Sequence, residues 1–215
     1  MTQISAPWPA LKRNLIAILR GVKPDEVLAI GKELVNAGIE VIEVPLNSPD
    51  PFQSIELLAK TLPAHVLIGA GTVLDPADIR RLDSAGGRLM ISPNVDVNVL
   101  AAAAEAGMVT MPGVFTPTEA LTALKAGASG LKFFPASVLG PDGIKAISAV
   151  LPKGAVIGAV GGVDESGFAA YAKVGVRTFG LGSSLYKVGA SSSFVRDRAK
   201  ATVDAYDRVF ASGTL

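Results

Sequence analysis

Short, continuously apolar runs alternate along the chain with Ala-rich amphipathic segments, and from Leu15 to the C-terminus the alternation repeats eight times. The predicted strands are Leu15 to Arg20, Val41 to Leu46, Val66 to Val73, Leu89 to Pro93, Val109 to Val114, Gly130 to Pro135, Ala155 to Val160 and Thr178 to Ser183. Unbroken apolar runs of this length suit parallel strands covered on both faces. Helix signals lie between them. Pro24-Asp25-Glu26 opens the first helix and Ala37-Gly38 closes it; Pro76 opens the third and Gly86 follows it; Pro117 opens the fifth and Gly127 ends it. The repeat of roughly 25 to 27 residues is near the lower limit for a βα unit of an eightfold barrel. The pattern therefore predicts one α/β domain over residues 1–215, a (β/α)8 TIM barrel, with a doubly wound open sheet as the alternative. Met1 to Asn14 is expected to form an arm or short helix across the barrel bottom, with Trp8 as its packing anchor, and Ser191 to Phe210 a closing helix.

Two strands break the apolar rule. Lys132 interrupts Gly130-Leu131-Lys132-Phe133-Phe134-Pro135, and Glu43 interrupts Val41-Ile42-Glu43-Val44. The other ten of the eleven lysines fall in predicted helices, turns or termini, where solvent carries the charge. A lysine within a strand is either a buried ion-pair partner, a side chain snorkelling through the rim, or an amine nucleophile whose pKa burial has lowered. Glu43 either pairs with a neighbouring cation or moves protons. Active sites of such barrels lie at the C-terminal strand ends, where the charged side chains delivered are Arg20, Glu43 and Lys132. Arg20 could clamp a substrate carboxylate or orient Glu43.

Glycines supply a second motif. Gly161-Gly162-Val163 and Gly182-Ser183-Ser184 follow the seventh and eighth predicted strands, where backbone N–H groups of these barrels often cradle phosphate. Gly69-Ala70-Gly71-Thr72 lacks the third glycine of a dinucleotide loop and reads as a close-packed strand end presenting Thr72. His65, the single histidine, precedes the third strand on the opposite barrel face and is expected to be structural or solvent-facing.

Composition narrows the function classes. With 215 residues, 49% hydrophobic and 18% charged, the chain can bury a large core without staples. A formal net charge of +1 from 20 basic and 19 acidic residues gives no footprint for nucleic acid. The absence of cysteine removes disulfides, thiolate catalysis and Cys-ligated zinc. No His/Asp/Glu cluster has metal-ligand spacing, so no metal is expected, and amine and carboxyl chemistry at Lys132 and Glu43 would need no organic cofactor. No stretch approaches the ~18 apolar residues of a membrane span, and a cytoplasmic protein is expected.

Seven stretches in order resemble one family over nearly the whole chain: Ala17-Ile18-Leu19-Arg20-Gly21, Glu43-Val44-Pro45-Leu46-Asn47-Ser48-Pro49, Gly69 to Val73, Ile91-Ser92-Pro93-Asn94, Leu131 to Pro135, Gly161-Gly162-Val163 and Gly182-Ser183. The family is that of the KDPG/KDPGal aldolases, class I pyruvate aldolases acting on 2-keto-3-deoxy-6-phospho-sugar acids. The resemblance implies cleavage to pyruvate and glyceraldehyde 3-phosphate, with Lys132 as the Schiff-base residue and Glu43 as the acid/base. It implies substrate contacts at Arg20, Thr72, Pro93, Val160, Gly161, Gly162, Gly182 and Ser183, and a homotrimer.

Gluconate-specific members carry Glu-Val-Thr-Leu-Arg-Thr where this chain has Glu43-Val44-Pro45-Leu46-Asn47-Ser48, and threonine where it has Val160. These departures resemble the galactonate branch instead, with the C4 epimer as the alternative substrate. They also remove an arginine that helps hold the pyruvyl carboxylate, which leaves that contact open and makes Arg20 the main candidate for it. A phosphate-binding barrel isomerase or epimerase would not need a lysine in strand six, and a non-catalytic binding protein would not need both Lys132 and Glu43.

Overall fold

The computed structural model describes residues 4–210. Nine parallel strands occur among them: β1 (Leu15–Ile18), β2 (Val41–Pro45), β3 (Leu67–Gly71), β4 (Leu89–Ile91), β5 (Val109–Met111), β6 (Gly113–Val114), β7 (Leu131–Phe133), β8 (Ile157–Val160) and β9 (Thr178–Leu181). Every strand residue is buried, as unbroken apolar runs require. The helices are α1 (Pro24–Ala37), α2 (Pro51–Thr61), α3 (Pro76–Ser84), α4 (Val97–Glu105), α5 (Pro117–Lys125), α6 (Ala136–Ser148), α7 (Phe168–Ala172) and α8 (Ser192–Phe210).

Strand order around the sheet is β5-β4-β3-β2-β1-β9-β8-β7-β6. Its two edges, β5 and β6, are consecutive pieces of one segment, so the sheet curls into a nearly closed barrel and the open-sheet alternative falls. The expected strand Val109 to Val114 is split at Pro112, which has no N–H for a ladder. Met111 pairs with Ile91 before the break and Gly113 with Lys132 after it. The Pro112 carbonyl still accepts the Lys132 N–H at 2.9 Å.

Proline and capping groups set the helix ends. Glu26 Oε1 accepts the Lys23 N–H at 3.0 Å to start α1, and Gly38, at φ 96°, closes it in a left-handed turn. Asp75 and Asp96 cap α3 and α4, and Thr116 with Glu119 forms a capping box at α5.

Apolar side chains form two layers. The larger lies between barrel and helices; the smaller fills the lower barrel with Ile16, Val41, Leu67, Leu89, Ile91, Val109 and Met111. Ala6, Trp8 and Leu11 of the arm pack against this inner layer, and Ala6 bridges Val109. Residues 4–14 form an arm without a helix, and the Trp8 indole donates to Asn14 Oδ1 at 2.9 Å. His65 is exposed just before β3, at the barrel's N-terminal face.

Candidate active site

Period-two alternation decides which side chains reach the barrel axis. On β2, Ile42 and Val44 belong to the outer apolar layer and Val41 to the inner one, so Glu43 points inward. On β7, Leu131 and Phe133 lie in the outer layer, which turns Lys132 inward between them. Ile18, Val160 and Gly180 face inward by the same count, and with the loops after β1, β8 and β9 they line a cavity of about 430 Å³.

Both ionisable groups lie deep in it. Glu43 is 1% exposed and Lys132 5%. Burial pushes the Glu43 carboxyl up to about 7, opposed by the charge of Lys132 and then by that of Arg20. Burial also pushes the Lys132 amine below its usual range; Glu43 opposes that shift and Arg20 reinforces it. The cavity thus shifts the lysine toward its free amine form and holds beside it a carboxyl poised to exchange a proton. The Lys132 Nζ lies 4.7 Å from the centroid of the Phe134 ring. Glu43 Oε2 is buried with no hydrogen-bond partner among the described residues, leaving a strong acceptor open to a substrate hydroxyl.

Glycine makes this placement possible. A Cβ on Gly71 would lie 1.5 Å from Glu43 Oε2, so the carboxylate occupies the space a side chain would have taken. Thr72 follows in the left-handed region at φ 56°, uncommon for a β-branched residue. Its hydroxyl accepts a long 3.4 Å bond from Arg20 Nη2, while Arg20 Nη1 donates to Asn47 Oδ1 at 2.5 Å. Arg20 lines the cavity. Thr72 is joined to it through Arg20, and Pro93 is not among the lining residues.

Gly161, Gly162, Gly182 and Ser183 all reach the cavity, as their strand-end placement predicts. Gly161 and Gly162 have φ of 91° and 70°, and a Cβ on Gly162 would meet Ser137 Oγ at 2.4 Å. A Cβ on Gly182 would meet nothing within 4 Å, so its backbone faces open space. These loops can offer N–H groups to an anion. Sequence reasoning missed Ile18, Phe134, Asp164 and Gly180 as lining residues. Alternation along β1 and β9 could have identified Ile18 and Gly180; the others sit next to named positions. No group of three or more potential metal ligands is found among the described residues, and no helix among them is long and apolar enough to cross a membrane.

Residues 10–200 match the family model for KDPG and KHG aldolase. A Rhizobium meliloti protein named probable 2-dehydro-3-deoxy-6-phosphogalactonate aldolase is 63% identical, covering 95% of this chain and 96% of its own. The Escherichia coli K12 protein named 2-dehydro-3-deoxy-6-phosphogalactonate aldolase is 45% identical over 91% of this chain and 95% of its own. Among solved structures, one described as native KDPGal superposes with a TM-score of 0.93 at 43% identity, covering 95% of this chain and 99% of that one. A KDPG aldolase from Legionella pneumophila, with pyruvate captured at low pH as a covalent carbinolamine intermediate, gives 0.81 at 30% identity, covering 88% and 94%.

Proposed function

This chain belongs to the KDPG and KHG aldolase family and is a carbon–carbon lyase, and on that premise we propose its substrate and the role of each cavity residue. The substrate is 2-dehydro-3-deoxy-6-phosphogalactonate, cleaved to pyruvate and D-glyceraldehyde 3-phosphate. The observation that carries the mechanism is a buried lysine facing the same cavity as a buried carboxyl with a raised pKa.

Neutral Lys132 adds to the C2 ketone, and loss of water from the carbinolamine gives an iminium. Glu43, directly or through a water, takes the C4 hydroxyl proton. The C3–C4 bond breaks, its electron pair flows into the iminium to form an enamine, and glyceraldehyde 3-phosphate leaves. Glu43 returns the proton to C3, and water hydrolyses the regenerated iminium to pyruvate and free lysine. A carboxyl titrating near 7 suits both directions of that transfer.

Arg20 holds the pyruvyl carboxylate, with Thr72 beside it and the Pro93 loop outside the cavity. Backbone N–H groups of Gly161, Gly162 and Ser183, with Gly182 leaving the approach clear, hold the distal phosphate and use its binding energy to fix the reacting bond. Val160 and Asn47 support the galactonate choice, as does high identity to proteins of that name.

The protein acts as a cytoplasmic homotrimer. Exposed Leu74, Val97, Phe115 and Val138 provide apolar contact surface. A designed cage built by fusing symmetric oligomeric domains contains a 44% identical chain with a TM-score of 0.92, covering 94% of this chain and 75% of that one.

Borohydride added with saturating pyruvate should convert Lys132 to a stable secondary amine, seen as a mass increase on its peptide; an unmodified peptide would refute the covalent mechanism. Specificity constants for the two C4 epimers test the substrate, and a preference for the gluconate epimer would reassign it.

A further inference from the structure

Arg20 is exposed, and a free arginine side chain loses about 2 kcal/mol of rotamer entropy when a ligand orders it. Here the ordering is built in by two neighbouring loops. Asn47 Oδ1 accepts from Arg20 Nη1 at 2.5 Å, and the adjacent Ser48 Oγ accepts the Gly21 N–H at 2.9 Å, so consecutive residues of the β2–α2 loop grip consecutive residues of the β1–α1 loop. Ser48 is itself buried and tied back by its N–H to the Pro45 carbonyl at 2.9 Å, which anchors the grip to the end of β2. On the other side Thr72 presents its hydroxyl to Nη2 from a backbone at φ 56°. A left-handed conformation of that kind costs about 1–3 kcal/mol and persists only where the surroundings hold it.

We propose that Asn47 is a positioning residue that aims the Arg20 guanidinium at the substrate carboxylate, an inference that rests on the aldolase reading above. A neutral amide suits this task. It accepts one N–H and leaves the rest of the fork and the full positive charge for the ligand, whereas a carboxylate at position 47 would form a closed ion pair with Arg20. The loop after β2 therefore serves the site twice: Glu43 acts from the strand, and Asn47 acts through Arg20.

The test is the pyruvate dependence of borohydride trapping in wild type, Asn47→Ala, Arg20→Ala and the double variant, with pyruvamide as an uncharged ketone control. Asn47→Ala should raise half-saturating pyruvate about tenfold, the loss expected for one hydrogen bond to a charged group. Its kcat at saturating substrate should stay within about twofold, because uniform binding is what is lost. Trapping by pyruvamide should not change, and the double variant should be no worse than Arg20→Ala alone. A wild-type pyruvate dependence in Asn47→Ala, an equal loss with pyruvamide, or an additive loss in the double variant would each overturn the assignment to Asn47. Failure of the wild-type protein to trap pyruvate at all would instead overturn the Schiff-base reading, and the inference with it. Asn47 is exposed, and unfolding temperatures of all four proteins confirm that the comparison is made on folded enzyme.

Discussion

Replacing Glu43 by glutamine should make the protein more stable above neutral pH and leave its stability nearly unchanged in mild acid. The carboxyl is raised from 4.5 to about 7 by burial, so its folded-state value lies above its unfolded one. Stability from such a group is complete below pH 4.5 and falls as pH rises through 7, because the unfolded chain releases the proton first. At about 1.36 kcal/mol for each pH unit between the two values, ionised Glu43 costs about 3 kcal/mol at pH 8.5.

Glutamine fills the same space and does not ionise, which removes that cost. One kcal/mol shifts the unfolding temperature of a chain this size by roughly 2–4 °C, so the variant should melt about 6–12 °C above wild type at pH 8.5. Near pH 4.5 the two curves should meet. Scanning calorimetry at fixed protein concentration across that range measures the difference directly, and parallel pH profiles for the two proteins would refute the buried-carboxyl argument. The same variant should lose about 10²–10⁴ in cleavage rate while keeping part of its pyruvate trapping, so stability and activity should move in opposite directions.

Other substitutions separate the halves of the cavity. Gly71→Ala places a methyl where Glu43 Oε2 now sits and should lower kcat at least tenfold by displacing the carboxylate; steady-state kinetics on the phosphorylated substrate would detect it. Gly162→Ala puts a side chain at φ 70° and against Ser137 Oγ, so the loop proposed to hold phosphate must shift. Its KM for the phosphorylated substrate should rise tenfold or more while the half-saturating pyruvate for Lys132 trapping stays the same. A parallel loss in both assays would show that the loop does more than hold phosphate.

Much of this architecture was legible in the chain because parallel strands buried on both faces leave unbroken apolar runs, and a charged residue inside such a run is conspicuous. Lys132 and Glu43 stood out for that reason, and alternation then turned both toward the axis. The break at Pro112 inside the expected strand Val109 to Val114 was not anticipated: a strand can change partners across a single residue that lacks a donor, and the apolar pattern runs through it without a signal. Pro93 lies at the correct end of the barrel but is not among the residues lining the cavity. The Arg20–Asn47 contact was beyond reach, because it joins two loops whose proximity depends on the Ile18–Glu43 register of β1 and β2. Ile18 and Gly180 carry no charge to single them out, and only the alternation along β1 and β9 shows that they form a wall of the cavity.

Seven apolar side chains fill the barrel beneath Glu43 and Lys132, and Trp8 and Leu11 pack against them from below, so the reaction chamber opens toward the rim. Every molecule that enters at the rim must also exit there. In the proposed mechanism a three-carbon acid still bonded to Lys132 cannot leave until its enamine is protonated and hydrolysed, so departure is sequential: aldehyde first, pyruvate second. Run in the synthetic direction, the same corridor demands that pyruvate be loaded before the aldehyde arrives.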